Sequence, residues 1–263
     1  MELNLAGKHA LVCGGSQGIG RATAIELAQL GADVTVLARS REALQAVVDS
    51  LPKTRPAQTH SSIATDADDT SALGAAIETL ARAWPVQILI NNSGGPPGGP
   101  AHSAKVEEYT DAFRRHLIAN QTALQAVLPG MRAAGYGRVV NIVSTSVKEP
   151  IDNLGVSNTV RAAVAGWAKT CSRELAPFGI TVNNVLPGFT KTQRLTSLIA
   201  AKAKASGKSE DAIAAEMLAT VPAARFAEPV ELAAVVAFLC TPAAAYVNGV
   251  SIAVDGGRTH ALS

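Results

Sequence analysis

The chain has 263 residues, of which 48% are hydrophobic, 17% charged and 4% aromatic, with 22 glycines and 13 prolines. This composition excludes a disordered or collagen-like chain and predicts one large domain whose core consists mainly of Ala, Val, Leu and Ile. The formal net charge of +2 comes without a run of basic residues, which argues against a nucleic-acid partner.

Short β-branched or apolar runs alternate with longer helix-like segments along the chain. Because strand and helix alternate, we predict an α/β fold: a single Rossmann-like domain over residues 1–263 with a doubly wound parallel sheet. Continuous apolar runs such as 88–90 suit strands that are covered by helices on both faces. The predicted strands are residues 9–13, 34–38, 86–91, 138–143, 180–186 and 250–254.

Two helical segments are predicted in the second half of the chain. The first carries an apolar residue at every third or fourth position, which is typical of a long helix with one buried face: Val156, Val160, Val164, Trp167, Cys171 and Leu175. The segment 191–220 is rich in Ala, Lys and Glu and interrupts the alternation, so we predict a helical insertion there. An insertion over residues 190–220 could act as a mobile lid above a ligand site.

A glycine-rich turn follows the first predicted strand and leads into a helix. Glycines at three positions allow a tight turn and a close backbone approach, while the helix offers unpaired N–H groups to a phosphate. This pattern predicts a nucleotide-binding turn, and a glycine turn without a ligand is the alternative. The residues assigned to the turn are Gly14, Ser16, Gln17, Gly18, Ile19 and Gly20.

The end of the second strand indicates which nucleotide is bound. An NAD site normally places an acid here to hold the ribose hydroxyls, and Ala38 cannot do this. Arg39 offers a guanidinium to a 2′-phosphate and Ser40 adds a hydroxyl, so the sequence favours NADP(H) over NAD(H). The alternative is that Arg39 is a solvated surface cation.

With Asn-Asn-Ser-Gly at 91–94, Pro-Gly-Phe-Thr-Lys-Thr at 187–192 and the ending 248–257, the sequence resembles the short-chain dehydrogenase/reductase superfamily. The likeness is to its 3-oxoacyl-acyl-carrier-protein reductase-like members and implies an NADP(H)-dependent oxidoreductase with a small-molecule substrate. It also implies further cofactor contacts. These are Asp66 and Ala67 at the adenine, Asn92 and Gly94 near the ribose, Thr192 at the nicotinamide amide or pyrophosphate, and Pro187, Gly188 and Thr190 in the same motif. The alternative for Asp66 is a helix cap.

The reaction of this family uses an Asn, a Ser, a Tyr and a Lys four residues after the Tyr. Asn120 matches the first and Ser144 the second, with a helix-interior amide and a strand-end hydroxyl as their alternatives. Thirteen residues after Ser144, where the family has Tyr, stands Ser157, and Arg161 follows in place of Lys. No Tyr-x-x-x-Lys occurs anywhere in the sequence.

This departure changes the expected proton donor. A phenol starts from a pKa near 10 that a neighbouring Lys can lower, whereas a serine hydroxyl is a much weaker acid. Arg161 can still bond the nicotinamide ribose, but a planar guanidinium does not copy an ammonium. Lys148 is a candidate substitute donor, and a solvated pair with Glu149 is its alternative. His102 and His116 are weaker candidates.

Three functions remain open at this point. The first is an NADP(H)-dependent oxidoreductase acting on a small carbonyl or related unsaturated substrate with a non-standard proton-delivery site. The second is a catalytically silent NADP(H)-binding protein, either a sensor or a structural subunit, and the third is a lyase or imine-type reductase. The family resemblance also implies a homotetramer or homodimer.

The cysteines and the apolar segments bear on the compartment. Cys13, Cys171 and Cys240 lie far apart in apolar stretches, which is typical of buried thiols in a reducing compartment and predicts no metal site. No run of about 18 apolar residues occurs, and residues 1–5 lack the apolar core of a signal peptide. We therefore expect a cytoplasmic protein with no membrane partner.

Overall fold

The computed structural model describes residues 1–262, and in this range one seven-stranded parallel sheet lies between layers of helices. The strands are β1 (His9–Cys13), β2 (Asp33–Ala38), β3 (His60–Ala64), β4 (Ile88–Asn91), β5 (Gly137–Ile142), β6 (Ile180–Pro187) and β7 (Ser251–Val254). The helices are α1 (Gly18–Gln29), α2 (Arg41–Ser50), α3 (Thr70–Ala83), α4 (Val106–Phe113), α5 (Ala119–Ala134), α6 (Gly155–Leu175), α7 (Gln193–Ser206), α8 (Glu210–Leu218) and α9 (Pro229–Leu239). The predicted α/β class and single Rossmann-like unit are confirmed.

The strand order places a crevice at the middle of the sheet. The order is β3-β2-β1-β4-β5-β6-β7, and every pair of neighbours is parallel. The chain therefore winds outward in one direction from β1 to β3 and in the other direction from β4 to β7. In such sheets the crevice beyond the carboxyl ends of the two central strands is where ligands bind. Here the central strands are β1 and β4.

Two apolar cores, one on each face of the sheet, hold the helices in place. On one face α1, α2 and α9 supply buried residues such as Leu27, Leu44 and Val236. On the other face α3, α5 and α6 supply residues such as Ile77 and Met131. Because both faces are covered, β1, β2, β4, β5 and β6 are buried along most of their length, as their continuous apolar runs predict, whereas the edge strands β3 and β7 are only half-buried.

A ladder of buried amides crosses the sheet and fixes the register of four strands. Asn91 Nδ2 in β4 donates to Asn141 Oδ1 in β5 at 2.8 Å, and Asn141 Nδ2 donates to Asn184 Oδ1 in β6 at 2.9 Å. Asn184 Nδ2 then donates to Ser251 Oγ in β7 at 3.1 Å. These three bonds satisfy polar groups that burial would otherwise leave unpaired. The ladder aligns the strand ends from which the site is built.

Replacing Asn141 by Ala is expected to lower the free energy of unfolding by at least about 2 kcal/mol. The substitution removes both bonds of the central amide and leaves the Asn91 donor and the Asn184 acceptor buried without partners. Urea denaturation followed by circular dichroism measures the change. The control is Asn120→Ala at a half-buried asparagine outside the ladder, which is expected to cost less than about 1 kcal/mol. Equal losses in the two variants would show that the ladder adds nothing to stability.

The six predicted strands are confirmed, with ends that differ by one or two residues, but β3 was not predicted from a strand-like run. This edge strand has the sequence His-Ser-Ser-Ile-Ala and is only half-buried, so it lacks the apolar run that identifies its neighbours. The long helix predicted over 156–175 is α6, and its stripe is buried apart from the half-buried Trp167.

The predicted insertion at 191–220 contains two helices, α7 and α8. They have a small apolar core of their own, formed by Leu195, Ala203, Ile213 and Met217 and separate from the two cores on the sheet. In the described range, no helix combines the length and apolar character needed to cross a bilayer.

Candidate functional site

One elongated cleft of about 760 Å³ opens at the crevice between β1 and β4. It runs from the end of β2 past the turn after β1 to the ends of β5 and β6, with α7 on its outer side. Both the predicted cofactor residues and the predicted reaction residues contribute to its wall. Those that do are Gly14, Ser16, Gln17, Gly18, Ile19, Arg39, Ser40, Asp66, Ala67, Asn92, Gly94, Ser144, Ser157, Arg161, Pro187, Gly188, Thr190 and Thr192.

The glycine-rich turn packs so tightly that side chains are excluded at two positions. Gly14 has a φ of +61°, and a Cβ there would lie 2.6 Å from the Asn92 carbonyl oxygen. A Cβ on Gly20 would collide with the Gly14 carbonyl oxygen, so Gly20 supports the turn from below although it does not line the cleft. The first turn of α1 contains no acidic residue and no side-chain cap, which leaves its N–H groups open to an anion.

The end of β2 presents one cation to the cleft. Arg39 is exposed and lines the wall next to Ala38. Ser40 has a second task, because its Oγ accepts a hydrogen bond from the Ala43 N–H at 3.2 Å and caps α2. The same hydroxyl donates to the Glu42 carboxylate at 3.1 Å. The structure thus leaves Arg39 as the group at this position that is free for a phosphate.

The segment after β3 lines the same end of the cleft. Asp66 does not cap a helix, because the N-cap of α3 is Asp69, whose Oδ1 accepts from the Ala72 N–H at 3.0 Å. Asp68 forms an ion pair with Arg115, whose Nε donates to Asp68 Oδ1 at 2.7 Å. The bond from Arg115 holds the pKa of Asp68 below its ordinary value. Sequence reasoning missed this pair because its members lie far apart in the chain.

The loop after β4 joins the glycine-rich turn to a buried histidine. Asn92 Nδ2 donates to the Gly14 carbonyl oxygen at 3.1 Å, which ties the two central strand ends together. Ser93, the next residue, shares a 2.6 Å hydrogen bond between its Oγ and His116 Nδ1. His116 lies in a π-helical turn, Arg114–Ile118, between α4 and α5. Such turns are common at functional sites.

His116 is a neutral imidazole in this setting. Burial, with a smaller contribution from the nearby cations of Arg161 and Arg115, lowers the pKa of His116 to about 3. Its Nε2 is buried and has no hydrogen-bond partner within residues 1–262. His116, which the sequence analysis treated as a weaker candidate, is thus hydrogen-bonded to Ser93, a residue of the cleft wall. His102, the other weaker candidate, is exposed and does not line the cleft.

Two serines face the cleft beyond β5. Ser144 has extended backbone at the strand end, and its Oγ accepts from the Ser146 N–H at 3.1 Å. Because this bond uses a lone pair, the Ser144 hydroxyl keeps its proton for a ligand. Ser157 lies in the first turn of α6, with 8% of its surface exposed. Both serines line the cleft wall.

Arg161, one helical turn after Ser157, is a buried cation. Its Nη1 donates to the Ile142 carbonyl oxygen at 3.2 Å, while its Nε is buried without a partner in the described part of the chain. Burial, together with the nearby Arg194 cation, lowers the pKa of Arg161 to about 10. The guanidinium remains charged at neutral pH and lines the cleft.

The turn after β6 closes the cleft. A Cβ on Gly188 would lie 2.6 Å from Asp255 Cα, so only glycine fits between the two segments. The Thr192 methyl group would lie 3.2 Å from a Cβ on Gly18, which places Thr192 against the glycine-rich turn. The Thr192 hydroxyl donates to the Thr190 carbonyl oxygen at 3.3 Å. This motif therefore faces the first one across the cleft.

Two predicted reaction residues are not brought into the cleft. Asn120 is half-buried on α5, one turn beyond His116, and is absent from the cleft wall. Lys148 is half-buried after the short turn that follows Ser144 and also lies outside the wall. Its predicted partner Glu149 instead accepts from the His260 N–H at 3.3 Å. Asn120 lies in the first turn of α5 directly after the π-helical turn, and the short helical turn at Thr145–Val147 separates Lys148 from Ser144.

Of the three cysteines, two are buried as predicted and one is not. Cys171 and Cys240 are buried, whereas Cys13 is half-buried at the end of β1 and lines the cleft. All three are free thiols.

Comparison with known sequences identifies related proteins along nearly the whole chain. The model of the family described as enoyl-(acyl carrier protein) reductase matches residues 14–259. The chain is 35% identical over 258 residues to a 3-oxoacyl-(acyl-carrier-protein) reductase, FabG, of Vibrio cholerae, covering 97% of this chain and 98% of that protein.

Solved structures show the same architecture. L-sorbose reductase from Gluconobacter frateurii, in complex with NADPH and L-sorbose, superposes with a TM-score of 0.92 and 28% identity over 100% of both chains. YwfH, an NADPH-dependent reductase involved in bacilysin biosynthesis, superposes with a TM-score of 0.91 and 27% identity, covering 97% of this chain and 99% of that one.

Proposed function

Because the chain belongs to the enoyl-(acyl carrier protein) reductase family of the short-chain dehydrogenase/reductase superfamily, we propose that it is an NADP(H)-dependent oxidoreductase. Its substrate is a small carbonyl compound or a related unsaturated compound. The observation that carries this proposal is the single cleft that joins Arg39 and the glycine-rich turn to Ser144 and Ser157. Cofactor-binding groups and reaction groups thus share one wall.

The residues present fit NADP(H). The tight turn at Gly14 and the uncapped start of α1 suit the pyrophosphate, because backbone can approach closely and free N–H groups face the cleft. Arg39 suits the 2′-phosphate. Further residues are proposed to contact the adenine and the ribose of the cofactor, and others lie in the turn after β6. The residues proposed for them are Ser16, Gln17, Gly18, Ile19, Ser40, Asp66, Ala67, Asn92, Gly94, Pro187, Gly188, Thr190 and Thr192.

The proton-delivery site is proposed to be non-standard. The bound nicotinamide supplies or accepts the hydride, and the protein must hold the reacting oxygen and deliver a proton to it. Ser144 and Ser157 offer hydroxyls at the wall, with Ser157 in the position where the family has Tyr and Arg161 where it has Lys. Arg161 holds a positive charge there without being a proton donor at neutral pH. The proton therefore reaches the substrate oxygen from solvent through these hydroxyls.

Replacing Ser144 by Ala is expected to lower kcat/KM for any true substrate by about a hundredfold. The hydroxyl keeps its proton for a ligand, so its loss removes a hydrogen bond to the reacting oxygen and leaves the phosphate contacts intact. NADPH consumption at 340 nm measures turnover and calorimetry measures NADPH affinity. Unchanged turnover would show that Ser144 is only a strand-end cap.

A second candidate function is a catalytically silent NADP(H)-binding protein, acting as a sensor or structural subunit. The observation that favours it is the serine, rather than a phenol, that faces the cleft at position 157. NADPH binding without oxidation by a panel of ketones, aldehydes, imines and enones would support this function over the first.

We further propose that residues 190–220 act as a substrate lid. The segment has a separate apolar core, and Arg194 at its start donates from Nη2 to the Pro96 carbonyl oxygen at 3.0 Å across the cleft. This contact joins α7 to the loop after β4 and closes that side. Faster proteolysis within this segment in the free protein than in the NADPH-bound protein would support the lid.

Self-association as a homodimer or homotetramer is also proposed. Large apolar side chains are exposed on the surface, among them Phe178, Phe238 and Tyr246. Burial of such side chains between copies would stabilise an oligomer. Sedimentation velocity gives the state directly, and a monomer at micromolar concentration would contradict the proposal.

A further inference from the structure

The two ends of the cleft differ in charge. Its lining carboxylates are Asp66 and Asp68, which follow β3, and Asp68 is already paired with Arg115. The lining cations at the other end are Arg161 and Arg194. Neither arginine forms an ion pair within residues 1–262. The reaction end of the cleft therefore holds two positive charges and no balancing negative one.

Both guanidinium groups approach the same point beside Gly95. A Cβ built on Gly95 would lie 3.5 Å from Arg194 Nη2 and 3.7 Å from Arg161 Nη2. Each arginine is anchored by one backbone oxygen, that of Pro96 for Arg194 and that of Ile142 for Arg161. Because a guanidinium has five N–H donors, most of the donors of both groups are left over. The glycine leaves open the space between them.

An anion is the ligand that this arrangement lacks. Two like charges close together in a partly buried site repel each other, and a buried charge without a partner costs free energy. Arg161 meets this description, with a buried Nε that has no partner and 8% of its surface exposed. A carboxylate matches a guanidinium geometrically and can accept several of the free N–H groups at once.

We propose that Arg161 and Arg194 bind the carboxylate of the substrate, so that the substrates are oxo acids or unsaturated oxo acids rather than neutral ketones. This inference rests on the proposed function, because it places the substrate carbonyl at Ser144 and its carboxylate at the arginine pair along the same wall. The phosphates of the cofactor are proposed to bind at Arg39 and the glycine-rich turn, and Arg161, which by resemblance can also bond the nicotinamide ribose, uses only one guanidinium nitrogen for the Ile142 carbonyl oxygen and has N–H donors for both ligands.

The test compares oxo acids with their uncharged methyl esters. Acetoacetate, 4-oxopentanoate and phenylpyruvate, each paired with its methyl ester, are titrated by calorimetry into protein saturated with NADP⁺. At least one acid is expected to bind at least about tenfold more tightly than its ester. Arg194→Gln is expected to lower the affinity for the acid at least about tenfold more than the affinity for its ester, and so to remove this difference. The control is Arg82→Gln, at an exposed arginine on α3 outside the cleft.

Binding is measured instead of turnover so that two failures can be told apart. A preferred acid that binds but is not reduced would count against the proposed reaction and leave the carboxylate site standing. Equal affinities of acids and esters, or no binding of any acid, would overturn the site. A loss of NADPH affinity in Arg194→Gln without loss of the acid preference would overturn it too, because the arginines would then serve the cofactor.

A second pair of variants tests the space at Gly95. The backbone there is not left-handed, and an added Cβ meets only ordinary contacts, so side chains are tolerated. Gly95→Asp supplies a carboxylate from the chain itself and is expected to lower the affinity for the acid at least about tenfold. Gly95→Ala is expected to keep the preference for the acid. An Asp variant that folds with an unchanged melting temperature and still prefers the acid would contradict the proposal.

Discussion

The double variant Ser157→Tyr/Arg161→Lys is expected to reduce simple ketones about 10² to 10⁴ times faster than the wild-type protein, for which slow reduction is expected. In the proposed wild-type site the hydroxyls at the cleft wall belong to serines, which are much weaker acids than a phenol, and Arg161 stays protonated at neutral pH. A phenol beside an ammonium provides a general acid in a useful pKa range. Steady-state oxidation of NADPH with a ketone panel measures the gain.

The matched control for this gain is Ser157→Phe/Arg161→Lys. Its ring occupies the same space as that of the tyrosine variant but has no hydroxyl, so it separates acid catalysis from better packing of the cleft. A tyrosine variant no faster than the phenylalanine variant would show that missing acid catalysis does not limit the wild type. Rapid wild-type reduction of simple ketones would contradict the non-standard delivery site outright.

Replacing Arg39 by Asp is expected to reverse the cofactor preference, with a change of at least about a hundredfold in the ratio of NADPH to NADH affinity. The variant loses charge-assisted bonds to the 2′-phosphate and gains an acid that can hold the ribose hydroxyls. Ala38 and Ser40 supply no charge at this position, and the Ser40 hydroxyl already serves as a helix cap. Calorimetry with both cofactors measures the ratio.

Arg41→Asp is the control for this reversal. Arg41 begins α2 two residues later and does not line the cleft, so its loss is expected to leave NADPH preferred. Equal affinity of the wild type for NADPH and NADH would make Arg39 a solvated surface cation, the alternative that its exposure leaves open.

The sequence predicted which segments line the part of the cleft proposed to bind the cofactor, because the signals for those segments are local. The strand β1, the turn and the start of α1 follow one another in the sequence, and the glycine at 14 is required where the backbone turns left-handed against Asn92. The residues that line the cleft after β2 and β6 likewise follow directly in the sequence. They are Arg39 and Ser40 after β2, and Gly188, Thr190 and Thr192 after β6. In a parallel sheet these ends meet at one edge, so short motifs combine into one site.

The reaction half was less predictable because its contacts join distant residues. Asn120 was matched to the Asn of the family by resemblance, and no local pattern indicated that the π-helical turn before it places His116 against Ser93 behind the cleft. The approach of Arg194 to Arg161 depends on how α7 folds back over the loop after β4, and no local pattern encodes it. The strand β3 was not predicted because it is a half-buried edge strand without an apolar run, and its position is set by pairing with β2.

The most direct test of hydride transfer in this cleft uses NADPH carrying deuterium at both C4 positions of the nicotinamide. The protein is incubated with this cofactor and a panel of ketones, aldehydes, imines, enones and oxo acids, and the products are examined by mass spectrometry. The account predicts one deuterium in the reduced product of at least one compound and about a hundredfold slower formation of that labelled product by Ser144→Ala. Tight NADPH binding with no deuterium in any product would contradict the account and identify the protein as a silent NADP(H) binder.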